Sequence, residues 1–258
     1  MRSPYSLTSY HNLMQGLLNA GYSFIGYDQV TAHSPLSPQC LLRHDIDADL
    51  SAALQIAQLE AELGIKSTYF LMTRSPVYNL LSRHNHRIVE QIIGLGHAIG
   101  LHYDRGFGGN DNGRHGRLLD LEAEFIEQLF DIAIHSVSFH QPDAEILAGK
   151  VSTAPRINTY DKTALSSYTY YSDSNRSLRL GTPDWKTADT RITTTQLSGQ
   201  SIQLLLHPMW WVYDEFSTVD VWDQAILSNF EMMQQQCLAT ERAYGPRRNM
   251  TLIRSEHE

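Results

Sequence analysis

One feature of this chain constrains its fold more than any other: short apolar segments alternate with helix-periodic ones, and segment after segment ends in Asp or His. Residues 40–47 read CLLRHDID, 66–72 KSTYFLM, 97–102 HAIGLH, 136–140 SVSFH and 201–207 SIQLLLH. Between the first two, Leu50, Leu54, Ile56, Ala57, Leu59 and Leu63 recur at helical spacing, with Asp49 before them as a helix start and Gly64 after them as a stop. Further helical segments are expected at 9–20, 88–95 (stopped by Gly96), 118–130 beyond a glycine-rich loop at 106–116, and 219–244. Strands that alternate with helices predict an α/β fold, a parallel sheet covered by helices. In such folds ligands bind at the carboxyl ends of the strands, which is where the Asp and His residues fall.

No repeat, linker or low-complexity tract divides residues 1–258, so a single domain is expected. That length and 42% hydrophobic content suffice for one sizeable core. Twenty Lys and Arg against 28 Asp and Glu give a net charge of −8. This is not the basic footprint that nucleic acid or an anionic membrane requires. No apolar run of about 18 residues predicts a membrane span, and the first residues lack the pattern of a secretory signal, so a cytoplasmic protein is expected. Cys40 and Cys237 are too few for a disulfide framework or a cysteine zinc site, and both are expected as buried thiols.

Twelve histidines are unusual, and imidazole binds metals and moves protons near neutral pH. In an extended 43–47 segment, Asp45 and Asp47 share one face about 7 Å apart, while His44 and Ile46 point the other way. Two converging carboxylates suit a metal ligand beside a general base; the alternative for Asp47 is a helix cap. His97 and His102 lie roughly 16 Å apart on opposite faces, so they do not share a metal. His102, at a strand end, is the candidate ligand and His97 is structural. His140 ends the next strand, as a further ligand, a substrate contact or a capped surface residue. His207 precedes Trp210 and Trp211, an imidazole beside flat apolar surface suited to stacking sugar rings, or else a core histidine among core aromatics.

Taken together, RHDID at 43–47, GIKSTYF at 64–70, GHAIGLHYD at 96–104, SFHQP at 138–142, YSDS at 171–174 and LHP at 206–208 resemble the polysaccharide deacetylases of the NodB-homology type. These are metal-dependent carbohydrate esterases built on an irregular (β/α) barrel. The resemblance implies that Asp45 is the base that activates water, that Asp47 and His102 are metal ligands, and that His207 is the acid that protonates the leaving amine. The family's second metal histidine would fall at Gly106. His140, or Asp104, or more remotely His115, is the expected substitute. The family's arginine and proline motif is also altered, which leaves Arg43 and Asp173 as candidates to orient the base or contact substrate. Trp210 and Trp211 are expected at the substrate.

The function expected is therefore a metal-dependent hydrolase that removes an N-acyl group, N-acetyl above all, from a sugar or glycan precursor. Zinc suits the mixed ligand set, as do cobalt, nickel, manganese or iron. The alternatives are an amidohydrolase acting on a small non-sugar amide, and a non-catalytic protein that binds saccharide or a partner on the same fold.

Overall fold

The computed structural model describes residues 5–31, 37–107, 111–176, 179–180 and 199–244. In chain order the elements are α1 (Leu7–Asn19), β1 (Ser23–Phe24), β2 (Gln39–Ile46), α2 (Leu50–Glu62), β3 (Thr68–Leu71), α3 (Arg83–Gly94), β4 (Ala98–Asp104), α4 (Asn112–Phe130) and β5 (Ser136–His140). They continue with α5 (Ala144–Leu147), β6 (Ile157–Asn158), β7 (Thr169–Ser172), β8 (Arg179–Leu180), β9 (Ile202–Leu206), α6 (Pro208–Val212) and α7 (Thr218–Thr240). Among the described residues nine strands join one sheet in the order β6-β5-β4-β3-β2-β9-β7-β8, with β1 beside β2. Every pairing is parallel except that of β7 with β8. The alternating pattern of the sequence therefore becomes the α/β architecture it predicts.

The sheet curls until its two sides meet. The Gln203 amide of β9 donates to the Thr159 carbonyl just beyond β6 at 2.9 Å, and the rings of Tyr160 and of Tyr170 on β7 lie 6.3 Å apart. Strands β6 and β7 are nonetheless unpaired among the described residues, so the (β/α) barrel is irregular and carries a seam. Inside the curl, Tyr27, Leu41, Phe70 and Leu165 form a small cluster of their own. The outer face packs on the helices in the main core, where Leu42, Ile46, Tyr69, Leu71, Leu101 and Val137 meet Met14, Ile56, Ile92 and Ile126.

Gly64 and Gly96 adopt left-handed backbone (φ +71° and +86°), which ends α2 and α3 where the sequence predicts. α4 begins six residues earlier than expected, because Asp111 caps it by accepting from the Arg114 amide at 3.0 Å. Gly113 and Gly116 therefore lie inside the helix rather than in a loop. α7 stops at Thr240, short of the expected 244. Cys40 is fully buried but Cys237 only partly so, because it lines a groove between α7 and residues 76–85.

On the outer face of β2, His44 turns away from the interior of the curl and meets Glu60 of α2. The fully buried Glu60 carboxylate accepts from His44 Nε2 at 2.7 Å, Ser67 Oγ at 2.6 Å, Tyr69 Oη at 2.8 Å and the Tyr10 hydroxyl. Burial by itself would raise this carboxyl's pKa, but the His44 ring and the donors around it hold it at about 2.

Candidate metal and acid-base centre

Three strand ends and one helix start converge at the carboxyl edge of the sheet. Arg43 and Asp45 face the interior of β2, and Asp47 follows one step beyond the strand on the same side. The cap of α2 falls to Asp49, whose Oδ1 accepts from the Ser51 and Ala52 amides at 2.7 and 3.2 Å, and this leaves Asp47 free. β4 supplies His102 and β5 supplies Ser138 and His140, on the face that alternation requires. His207 follows β9 and begins α6, where Pro208 occupies the first helical position.

Asp47, His102 and His140 each offer one ligand atom, all within 4.8 Å of one another. Asp47 Oδ1 lies 3.1 Å from His102 Nε2 and 3.2 Å from His140 Nδ1. Ser138 Oγ donates to Asp45 Oδ1 at 3.2 Å, so at 2.6 Å it accepts the Nδ1 proton of His102. That leaves the Nε2 lone pair of His102 facing a carboxylate oxygen, an arrangement stabilised by a cation shared between them, a proton or a metal ion. One carboxylate oxygen and two imidazole nitrogens, one of them oriented by a hydroxyl, fit a divalent metal. Burial would raise the pKa of Asp47, but the His102 and His140 imidazoles that face its oxygens drive it well below the carboxylate range.

Asp45 sits beside this cluster and is held by Arg43, whose Nη2 donates to Oδ2 at 2.9 Å. Burial opposes ionisation, yet the charges of Arg43, His102 and His207 keep its carboxyl below the usual range. On the other side, His207 Nδ1 lies 2.6 Å from Asp173 Oδ1, and Asp173 Oδ2 accepts from the His207 amide at 3.0 Å and from Trp211 Nε1 at 2.8 Å. His207 Nε2 therefore points towards the centre, 3.7 Å from Asp47 Oδ2. Burial would lower the His207 pKa, but Asp173 outweighs it and raises the ring to about 9. An ionised carboxylate and a cationic imidazole thus flank the ligand cluster, the pairing that base-then-acid catalysis requires. A cleft of about 490 Å³ opens over Asp45, Asp47, His102, His140 and His207, walled by Tyr160, Trp210 and Trp222.

The structure brings Asp45, Asp47, His102, His140 and His207 together and corrects four expectations about substrate contacts. Arg43 and Asp173 are fully buried and hold Asp45 and His207 respectively, so neither faces the cleft. Trp211 is also buried, packed against Tyr5 and Tyr10, and is no stacking platform. Trp210 lines the cleft but only 4% of it is exposed, so it presents an edge of wall rather than an open face. Of the substitutes for the family's second histidine, Asp104 turns back to the Gly106 amide at 2.7 Å and His115 pairs with Tyr103 on the outer face; His140 alone joins the cluster among the described residues. His97 bonds to Ser67 and the Ala57 carbonyl, the structural role expected of it.

Three residues escaped the sequence reading. Ser138 shares a face with His140 by simple alternation, a legible signal. Tyr160 and Trp222 reach the cleft from a loop and from α7, with nothing local to mark them. Gln141, between His140 and Pro142, adopts a left-handed backbone (φ +45°), a strained turn at the cleft wall.

No protein-family model matches the sequence, and no curated protein does. Similar solved structures include a CE4 family pseudoenzyme from Bacillus anthracis, 14% identical over 77% of this chain and 62% of that one, with a TM-score of 0.44. Others are the chitin deacetylase from the fungal pathogen Colletotrichum lindemuthianum (12% identity, 80% and 86% covered, TM-score 0.44) and a family 4 carbohydrate esterase from Bacillus anthracis (14% identity, 86% of each chain, TM-score 0.43). The chain spans less than two thirds of the length of that pseudoenzyme. At these identities and scores, the chemistry of the cleft follows from its own side chains.

Proposed function

We propose that this protein is a metal-dependent hydrolase of the polysaccharide deacetylase type that removes an N-acyl group, N-acetyl above all, from a sugar or glycan precursor. The observation that carries the reading is the Asp47, His102 and His140 cluster, with Asp45 on one side and the His207–Asp173 pair on the other. Asp47, His102 and His140 would hold the ion, and two nitrogens with one oxygen suit zinc. When bound, the ion supplies Lewis acidity, which polarises an acyl oxygen and acidifies water.

The chain's own groups do the rest. Asp45, kept ionised by Arg43, takes a proton from water as the water oxygen bonds to the acyl carbon. His207, kept protonated by Asp173, gives its Nε2 proton to the nitrogen as the C–N bond breaks. The products are a carboxylic acid and a free amine. The walls formed by Tyr160 and Trp222 give a ring-shaped substrate apolar surface to rest on.

The test pairs elemental mass spectrometry of the purified full chain with acetate release from N-acetylated glucosamine oligomers. The wild type is expected to hold metal and turn over, and Asp45→Asn to keep its metal while losing about 10²- to 10⁴-fold in rate. Unchanged turnover in Asp45→Asn would remove Asp45 as the base. Metal without turnover on any acylated sugar would remove the substrate class.

A further inference from the structure

Between the end of β2 at Ile46 and the start of α2 at Leu50 the chain runs through Asp47, Ala48 and Asp49, and this short connection carries the carboxylate of the ligand cluster. Buried carbonyls at the end of a strand need partners, and here three in succession accept from side chains. The Tyr78 hydroxyl donates to the Ile46 carbonyl at 3.0 Å, Ser75 Oγ to that of Asp47 at 3.3 Å, and Asn229 Nδ2 to that of Ala48 at 2.8 Å. Asp49 is held in turn by its cap on α2 and by the Tyr213 hydroxyl.

Two of these holds come from the side away from the reaction. Tyr78 and Asn229 line the groove of about 630 Å³ between α7 and residues 76–85, and neither lines the reaction cleft. Tyr78 is buried, and its hydroxyl also accepts from the Met72 amide at 2.8 Å. It thus joins β2 to the chain after β3 just past their last paired residues, Ile46 and Leu71. Asn229 comes from α7, 181 residues along the chain from Ala48, and Nδ2 also donates to the Ala225 carbonyl one turn earlier, which fixes the side chain on its helix. No residue of α7 beyond Ala225 is buried, so the bond to Ala48 is not a by-product of close apolar packing.

An oxygen of Asp47 and nitrogens of His102 and His140 converge on one point, and lone pairs gathered in this way repel until a proton or metal ion joins them. A connection free to shift would turn the carboxylate aside, and binding an ion would then carry the cost of restoring it. A connection fixed at successive carbonyls keeps the carboxylate in place. We infer that Tyr78 and Asn229 are positioning residues of the metal centre, which hold the backbone of Asp47 through the Ile46 and Ala48 carbonyls and so set how tightly the ion is bound. The inference rests on Asp47 as a metal ligand, and it adds to that reading two residues that touch neither ion nor substrate.

The probe is zinc alone, with its affinity for the metal-stripped full chain measured by competition with a chromogenic chelator at a temperature where circular dichroism shows every variant folded. The visible absorption of the cobalt-loaded protein is a second readout. Tyr78→Phe keeps the ring and Asn229→Leu keeps the branched shape, and each removes the donor to one carbonyl. Each is expected to bind zinc about tenfold or more weakly and to shift the cobalt bands. Ile126→Ala truncates a fully buried side chain late in α4, towards the edge of the sheet where β5 begins, and is expected to lower stability and leave both readouts unchanged. Wild-type affinity and cobalt bands in both Tyr78→Phe and Asn229→Leu would overturn the proposal. An equal loss in Ile126→Ala would overturn it too, because the effect would then be one of general stability. Should Tyr78→Phe not fold, Asn229→Leu, at a partly exposed helix position, decides alone. Asp47→Ala separates the two readings. Zinc held by it as tightly as by the wild type would overturn the ligand assignment and this inference with it, whereas zinc lost there but kept by Tyr78→Phe and Asn229→Leu would overturn the positioning role alone.

Discussion

Glu60→Gln keeps the shape of a buried side chain and removes its charge, in a network that touches β2 and β3 but not the cleft. The wild-type carboxyl, held at about 2 against 4.5 in its ordinary state, favours its ionised form in the fold by about 3 kcal/mol, at roughly 1.4 kcal/mol per pH unit. Removing one member of a buried ionic network costs about 3–5 kcal/mol, which is the same range. Urea denaturation at pH 7, followed by far-ultraviolet circular dichroism, is expected to show the variant about 3 kcal/mol less stable, with a midpoint about 1 M lower if the slope is near 3 kcal/mol/M. The sign of the pH dependence follows from the direction of the shift. A depressed carboxyl stabilises in full above its unfolded pKa of 4.5, and that contribution is lost as pH falls towards 2. The gap between wild type and variant is therefore expected to be widest above pH 4.5 and to close below it. A gap under about 1 kcal/mol at pH 7, or one that stays constant as pH falls from 4.5 to 2, would refute the reasoning.

Three further outcomes are expected. His140→Ala should retain less metal after dialysis than the wild type, by elemental analysis, and Ser138→Ala, which loses only the hydroxyl orienting His102, should lose about 10- to 100-fold in affinity; full retention in both would place the ion elsewhere. Asp173→Asn should lower kcat by about 10²-fold or more with KM little changed, because the substrate does not touch Asp173; a change in KM alone would mean Asp173 serves binding. Gly100→Ala should lower stability by about 1–3 kcal/mol in a thermal melt, because a Cβ there runs into the Phe70 ring inside the curl; an unchanged melting temperature would show that Phe70 moves freely.

The sheet was legible because its signals are local. Alternation put Asp45 and Asp47 on one face and His44 on the other, and a strand's rise separated His97 from His102. Asp49, two residues past Asp47, resolved the choice between cap and site. What could not be read were the partners from distant segments. Asp173 and Trp211 are both polar or amphipathic residues beside a strand end, like true substrate contacts. Only the packing of α6 on α1 and α2 shows that Trp211 faces Tyr5 and Tyr10. Arg43 likewise looks like a cleft residue by spacing, yet curling of the sheet encloses it between the Phe70 and Tyr160 rings. The third ligand was ambiguous for a similar reason, since register between β4 and β5 determines whether His140 reaches Asp47.

β9, sequence-distant from the others, inserts between β2 and β7 and brings His207 to within 3.7 Å of Asp47, 160 residues away in the chain. As the chain emerges from the ribosome, β2 to β5 can assemble early, but one edge of β2 stays open until residue 206 has been made. That edge carries the backbone groups of Gln39, Leu41 and Arg43, which point away from β1 and β3 and are a template for mispairing with a neighbouring chain. Production of this protein should therefore depend on how quickly its last strand is delivered, and truncations before β9 should aggregate rather than fold to a smaller active unit.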